Sequence, residues 1–153
     1  MARKILICDK IAGIANDADV LIYWDLFSEL EDAYSIPQVV EENFDEFRDK
    51  YLEWLFDLGN TSIKGRRLIE HFKIRDDFSV WCMSLLKEKN QRKSSSIYDV
   101  FRMMAFDKIM FDLEANYNDE VILSISNKHI QKSARRWFVI KGIPYTLRLN
   151  FFK

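Results

Sequence analysis

Val121-Ile122-Leu123-Ser124-Ile125-Ser126, then Asn127, then Ile130, Ala134, Trp137 and Phe138, then Gly142 and the run Tyr145 to Leu149: this stretch decides the fold. The first six residues are apolar and β-branched enough to form a strand. Beyond Asn127 the apolar residues recur on one helical face, Gly142 is placed to close that helix, and Tyr145 to Leu149 is strand-like again. Strand, helix, glycine, strand is a βαβ unit, and such units build parallel sheets with right-handed crossovers.

Two further strands are predicted near the amino terminus, Ile5 to Cys8 ending at Asp9, and Val20-Leu21-Ile22-Tyr23-Trp24 ending at Asp25. The stretch Lys10 to Asp19 between them is marginal for a helical crossover and long for a tight hairpin, so their relative direction stays open. From Phe44 the period changes: Phe44, Phe47, Tyr51, Trp54, Leu55 and Leu58 recur at spacings of three and four, with charged residues between them, which predicts an amphipathic helix. Gly59-Asn60 is expected to end it through a left-handed glycine. A shorter helix through Leu68, Ile69 and Phe72 comes next. Phe78 to Leu86 is expected to be a buried helix with Ser79 as N-cap, and a long helix is expected from Ile97 to about Ala115 with Ser96 as its cap. The fold class is therefore α/β, a mostly parallel sheet with a large helical insertion after the second strand, in a single domain over residues 1–153.

Composition sets the outer limits. The chain has 153 residues, 48% of them hydrophobic and 14% aromatic, with four Gly and two Pro, far too apolar for a disordered segment. With 23 basic and 24 acidic side chains the formal net charge is −1, so whole-molecule electrostatics favour neither nucleic acid nor an anionic membrane, and either partner needs a local patch. The apolar run at the start stops at Asp9, too short for a signal peptide, and no run approaches the length of a membrane span; a cytoplasmic protein is expected. Cys8 and Cys82 lack any CxxC spacing and are expected to be inert packing residues. His71 and His129 have no partner at zinc-ligand spacing, so no metal site and no cofactor are predicted.

In an open parallel sheet, ligands bind beyond the carboxyl ends of the strands. Asp9, Asp25 and Asn127 each come after a predicted strand, so they can line one crevice and offer a carboxylate as general base or hydrogen-bond acceptor. The plain alternative is that they end strands and cap the next segment. A second constellation is Arg92-Lys93-Ser94-Ser95-Ser96-Ile97-Tyr98-Asp99, a basic, hydroxyl-rich loop running into a helix whose first N–H groups favour an anion. It lacks the glycines of a P-loop, and a solvated basic loop with an ordinary cap explains it equally. Trp81, Tyr98 and Trp54 can stack on a sugar ring, or simply fill the core.

The stretch Trp81-Cys82-Met83-Ser84-Leu85-Leu86, with Lys93-Ser94-Ser95-Ser96-Ile97-Tyr98-Asp99 after it, resembles a family of bacterial surface-carbohydrate biosynthesis proteins in which an aromatic-rich helix precedes a Lys-Ser-Pro-Ser-Ile-Tyr-Asp-like motif. Ile36-Pro37-Gln38-Val39-Val40-Glu41-Glu42-Asn43 and Tyr51-Leu52-Glu53-Trp54 are similar too, so the likeness extends over positions 20 to 145. It departs at Cys82, where the pattern has a second tryptophan, and at Ser95, where it has proline. The resemblance implies a glycosyltransferase of two Rossmann-like halves, the GT-B plan, acting on lipopolysaccharide or capsule precursors at the cytoplasmic side of the inner membrane, with peripheral membrane association. This chain would be the amino-terminal, acceptor-side half, inactive in isolation. It would take a sugar or lipid-linked sugar acceptor, with the nucleotide sugar bound through a second domain and no nucleic-acid partner. Asp9 or Asp25 would be the general base; Lys93, Ser94, Ser95, Ser96, Tyr98 and Asn127 would contact ligand. The competing expectation is a non-catalytic protein-interaction or scaffolding domain, motivated by the lack of a strong catalytic motif and the aromatic load; the oligomeric state stays open.

Overall fold

Ile5, Leu6, Ile7 and Cys8 are all buried. Successive strand residues point to opposite faces, so a strand buried at every position has both faces covered, as in the middle of a parallel sheet. The computed structural model, which describes residues 3–9, 17–28, 33–82 and 95–148, places it there. In chain order the elements are β1 (Lys4–Cys8), β2 (Val20–Tyr23), β3 (Ala33–Ser35), α1 (Ile36–Glu42), α2 (Phe44–Asn60), β4 (Ser62–Ile63), β5 (Arg66–Arg67), α3 (Leu68–His71), β6 (Lys73–Arg75), β7 (Phe78–Ser79), α4 (Ser95–Asp112), β8 (Glu120–Ser124), α5 (Lys128–Lys141) and β9 (Tyr145–Leu147). The chain divides into two compact units, Met1–Glu42 with Arg102–Lys153, and Asn43–Phe101.

The first unit is α/β and Rossmann-like. Its sheet runs β3-β2-β1-β8-β9, and each neighbouring pair is parallel. The direction that the sequence left open is thus parallel: Cys8 sits opposite Tyr23 on one side and Ser124 on the other. The order reverses between β1 and β8, the switch point where ligands bind in doubly wound sheets. The βαβ unit read from the sequence is β8, α5 and β9. Asn127 caps α5, accepting from the N–H groups of His129 and Ile130 at 3.0 and 3.4 Å, and Gly142 closes it in the left-handed conformation at φ 68°. β3 was not legible in the sequence; it adds an edge strand before the helical insertion begins.

The two sheet faces pack differently. Leu6, Cys8, Leu21 and Tyr23 form one cluster with Ala18, Leu26, Ala33 and Ile122; burial there pushes the Tyr23 phenol above its ordinary pKa. On the other face Trp24 meets Phe106 of α4, whose ring contacts Trp137 and Phe138 of α5, and Phe138 stacks on Tyr145 of β9. Phe106 and Phe138 are fully buried, each worth about 1.5–3 kcal/mol in apolar burial. At the amino ends, Arg3 Nε and Nη2 donate to the two oxygens of Asp119 at 3.1 and 3.0 Å, tying the chain before β1 to the turn before β8.

The second unit is built on α2, which buries Phe47, Tyr51, Leu55 and Gly59. Phe44, Phe47 and Tyr51 surround the ring of Phe101. Gly59 does not end this helix as expected: it is helical, and a Cβ there would meet the Trp81 indole at 2.4 Å, so the glycine is required by close approach rather than by a left-handed turn. Two small hairpins come after α2, β4–β5 and β6–β7. Lys64 and Gly65 both have positive φ, the backbone of a tight primed hairpin turn. Ser79 is the N-cap expected, its hydroxyl oxygen accepting from Trp81 N–H at 3.3 Å and its O–H donating to Ile69 carbonyl at 2.7 Å. The helix there is less buried than expected, because Phe78–Ser79 is strand and both Val80 and Cys82 are exposed. Cys8 is the buried packing thiol expected, whereas Cys82 faces solvent.

Candidate functional site

Asp9 lies just past the last residue of β1 and is only 7% exposed. Its Oδ2 accepts from the backbone N–H of Ser126 at 2.7 Å and from the Ser126 hydroxyl, so the carboxylate bridges the ends of β1 and β8 across the switch point. Ser126 immediately precedes Asn127, the cap of α5. The other oxygen, Oδ1, is buried and has no hydrogen-bond partner among the described residues. An acceptor left so costs about 1–3 kcal/mol. Trp24 lies one residue past β2, level with Asp9 because its N–H donates to Cys8 carbonyl at 2.8 Å. Its indole N–H is likewise buried without a partner among the described residues. Neighbouring strand ends thus present one unsatisfied acceptor and one unsatisfied donor. A hydroxyl group has both matching capacities, since it donates one hydrogen bond and accepts others.

The remaining expected residues have other partners or other places. Asp25 is ion-paired with Arg102 Nη1 of α4 at 2.9 Å, so its carboxylate is already engaged by a cation. Asn127 spends its side-chain oxygen on the α5 cap. Lys93 and Ser94 lie outside the described residues. Ser95 and Ser96 are the first two residues of α4, so Ser96 is inside the first turn rather than ahead of it as the cap. Tyr98 is partly exposed and belongs to the helical unit, whereas Asp9, Asp25 and Asn127 belong to the sheet unit. Trp81 packs on Gly59 and against Phe72, a structural role; Trp54 is half-exposed and stacks on Tyr51. Among the described residues no three His, Cys, Asp or Glu side chains gather as metal ligands, and no helix is long and apolar enough to cross a membrane.

Sequence reasoning located Asp9 by position but missed Ser126, Trp24 and Arg102. Ser126 read as the end of a strand, and its partner is 117 residues away; nothing local signals the pair. A cleft of about 580 Å³ lined by Asp107, Phe111, Trp137 and Lys141 lies elsewhere, near the residues that lead into β8 and β9 and so at the amino ends of the strands. Its Asp107 is already satisfied by the Trp137 indole at 2.7 Å and by Lys141 at 3.2 Å. The unsatisfied carboxylate at the switch point is the stronger candidate. Comparison of the chain with protein-family models, curated proteins and solved structures gives no match.

Proposed function

We propose that this chain is the acceptor-side domain of a glycosyltransferase of bacterial surface polysaccharide synthesis, with Asp9 as the general base. The observation that carries this reading is the buried Oδ1 of Asp9 at the carboxyl end of a parallel sheet, which has no hydrogen-bond partner among the described residues, as the Trp24 indole N–H at the neighbouring strand end also has none. A sugar hydroxyl placed there donates to Asp9. Its proton passes to Oδ1 while its oxygen bonds to the anomeric carbon of the donor sugar, and the bond from that carbon to the nucleotide's phosphate oxygen breaks with its electron pair leaving on the nucleotide. The acceptor is a sugar or a lipid-linked sugar, the nucleotide sugar is held by a second domain, and the reaction belongs to the cytoplasm. The Rossmann-like sheet and the family-like motif from Lys93 to Asp99 support the same reading.

The test is sugar transfer by the longest natural reading frame, with cell-envelope extract as acceptor and nucleotide sugars as donors. Consumption of one donor, lost on Asp9→Asn, is expected. No donor consumed or hydrolysed by a protein that carries both domains would end the enzymatic reading. The second reading, a non-catalytic interaction or scaffolding domain, is favoured by Trp54, Phe56, Phe72 and Ile74 of the helical unit, all large and exposed. Sedimentation velocity separates the two, since a stable dimer that Phe56→Ser dissolves belongs to the second.

A further inference from the structure

Charge is unevenly distributed along this chain. Residues 121–153 hold seven of its 23 Lys and Arg and none of its 24 Asp and Glu. The net charge of −1 is therefore +7 in the last 33 residues set against −8 in the preceding 120. The local patch that a polyanionic partner requires is present.

The structure gathers Lys128, Lys132, Arg135 and Arg136 on α5, at spacings that place them opposite the buried Ile130, Ala134 and Phe138. All four line one shallow cleft of about 560 Å³, with Val139 and Tyr145. None makes an ion pair among the described residues; Arg135 Nε donates to the Tyr145 hydroxyl at 3.2 Å, which aims one guanidinium along the cleft. Apart from that hydrogen bond, the four charges bring folding no paired partner among the described residues. The cations repel one another, and Lys128 in the first turn opposes the helix dipole, which favours acids there. Val139 and Ile140 are 71% and 72% exposed on the same helix, and Val139 lies three and four residues beyond Arg136 and Arg135, among the cations rather than apart from them.

Cations surrounding exposed aliphatic side chains match the chemistry of a lipid surface, where basic groups meet headgroup phosphates and apolar groups enter the boundary of the acyl chains. Nucleic acid fits less well. Its phosphates would leave Val139 and Ile140 in water, and single strands call for free aromatic faces, whereas the Tyr145 ring is already stacked on Phe138. We propose that the outer face of α5 docks on a membrane surface rich in anionic lipid, with Lys128, Lys132, Arg135 and Arg136 on the headgroups and Val139 and Ile140 at the interface. Charge and exposure alone define this face, which would dock whether or not Asp9 handles a sugar.

Co-sedimentation of the whole chain with phosphatidylcholine vesicles, with and without phosphatidylglycerol, tests this. Binding only with phosphatidylglycerol, weakening as salt is raised, is expected. With each basic residue near the surface worth roughly five-fold in partition, Arg135→Ser with Arg136→Ser should weaken binding about 25-fold. Val139→Ser with Ile140→Ser should also weaken it while leaving the salt dependence in place. Lys128→Gln with Lys132→Gln is the second basic pair, read in the same way should the arginine variant fail to fold by circular dichroism. Equal binding to neutral vesicles, unchanged binding by folded basic variants, tighter binding to a single-stranded oligonucleotide than to anionic vesicles, or inorganic phosphate displacing the protein in proportion beyond its effect on ionic strength would each overturn the proposal.

Discussion

The seam between β1 and β8 carries a buried aspartate at each end, and the two are treated in opposite ways. Asp119, at the amino end, has both oxygens engaged: Oδ1 by Arg3 Nε, Oδ2 by Arg3 Nη2 and by the backbone N–H of Asn116 at 2.9 Å. Asp9, at the carboxyl end, has one oxygen held by Ser126 and the other buried with no donor among the described residues. Burial is nearly equal, so exposure does not distinguish them; satisfaction does. A carboxylate with both oxygens engaged fastens strands together, and one held by a single oxygen is fixed in direction while keeping an acceptor in reserve.

Substitution should separate these roles. The largest effect is expected for Asp9→Asn in the sugar-transfer assay, a loss of roughly 10²–10⁴ in rate, the range for a general base, while the urea midpoint does not fall. An equal loss of stability and activity would make the two aspartates the same kind of residue. Next, Asp119→Ala should lower the unfolding free energy by about 2–3 kcal/mol, because a charged multiple acceptor is lost and Arg3 is left half-buried without it; chemical denaturation reads this directly.

A gentler version of the same comparison uses acid. The hydrogen bonds from Arg3 hold the Asp119 carboxyl below its ordinary pKa. A depressed folded value means that this contribution is complete above the unfolded value, about 3.9, and is lost as pH falls through the folded one. Stability measured downward from pH 5 should therefore drop in wild type, and Asp119→Asn should flatten part of that limb. An unchanged limb would place the acid-sensitive group elsewhere. The smallest effect belongs to Asp25→Asn. Its pair with Arg102 is partly exposed, with 37% of the Asp25 side chain accessible, so a cost of about 0–1 kcal/mol is expected; a larger one would show that Asp25 anchors α4 to the sheet unit.

The line between legible and hidden features of the sequence is a physical one. Long periodic segments were legible: the βαβ unit ending the chain, the both-faced apolar β1, and α2 with its three- and four-residue spacing. Short pairings were not. β3 is only Ala33–Ser35 and β4 to β7 are two or three residues each, too brief for any period to emerge, although Lys64-Gly65 was a usable turn signal. Gly59 was misread because composition does not distinguish a glycine needed for positive φ from one needed for an indole to pass close by. At the site, Asp9 was found by its place after a strand, but its meaning depends on Ser126 and Trp24, which only the sheet register brings beside it. The Asp25–Arg102 pair was hidden for the same reason.

The position of β1 bears on how the protein is made. Its two neighbours arrive at very different times: β2 is translated at once, but the residues that complete its other edge lie 116 positions later. At roughly 5–20 residues per second, a nascent chain waits on the order of ten seconds with an apolar strand whose second edge has no mate, while the helical unit emerges between. Distant parallel pairing of this kind is intrinsically slow. The central strand that organises the finished sheet is therefore also the segment most open to wrong partners during synthesis, where a chaperone holding the first forty residues would have its greatest effect on yield.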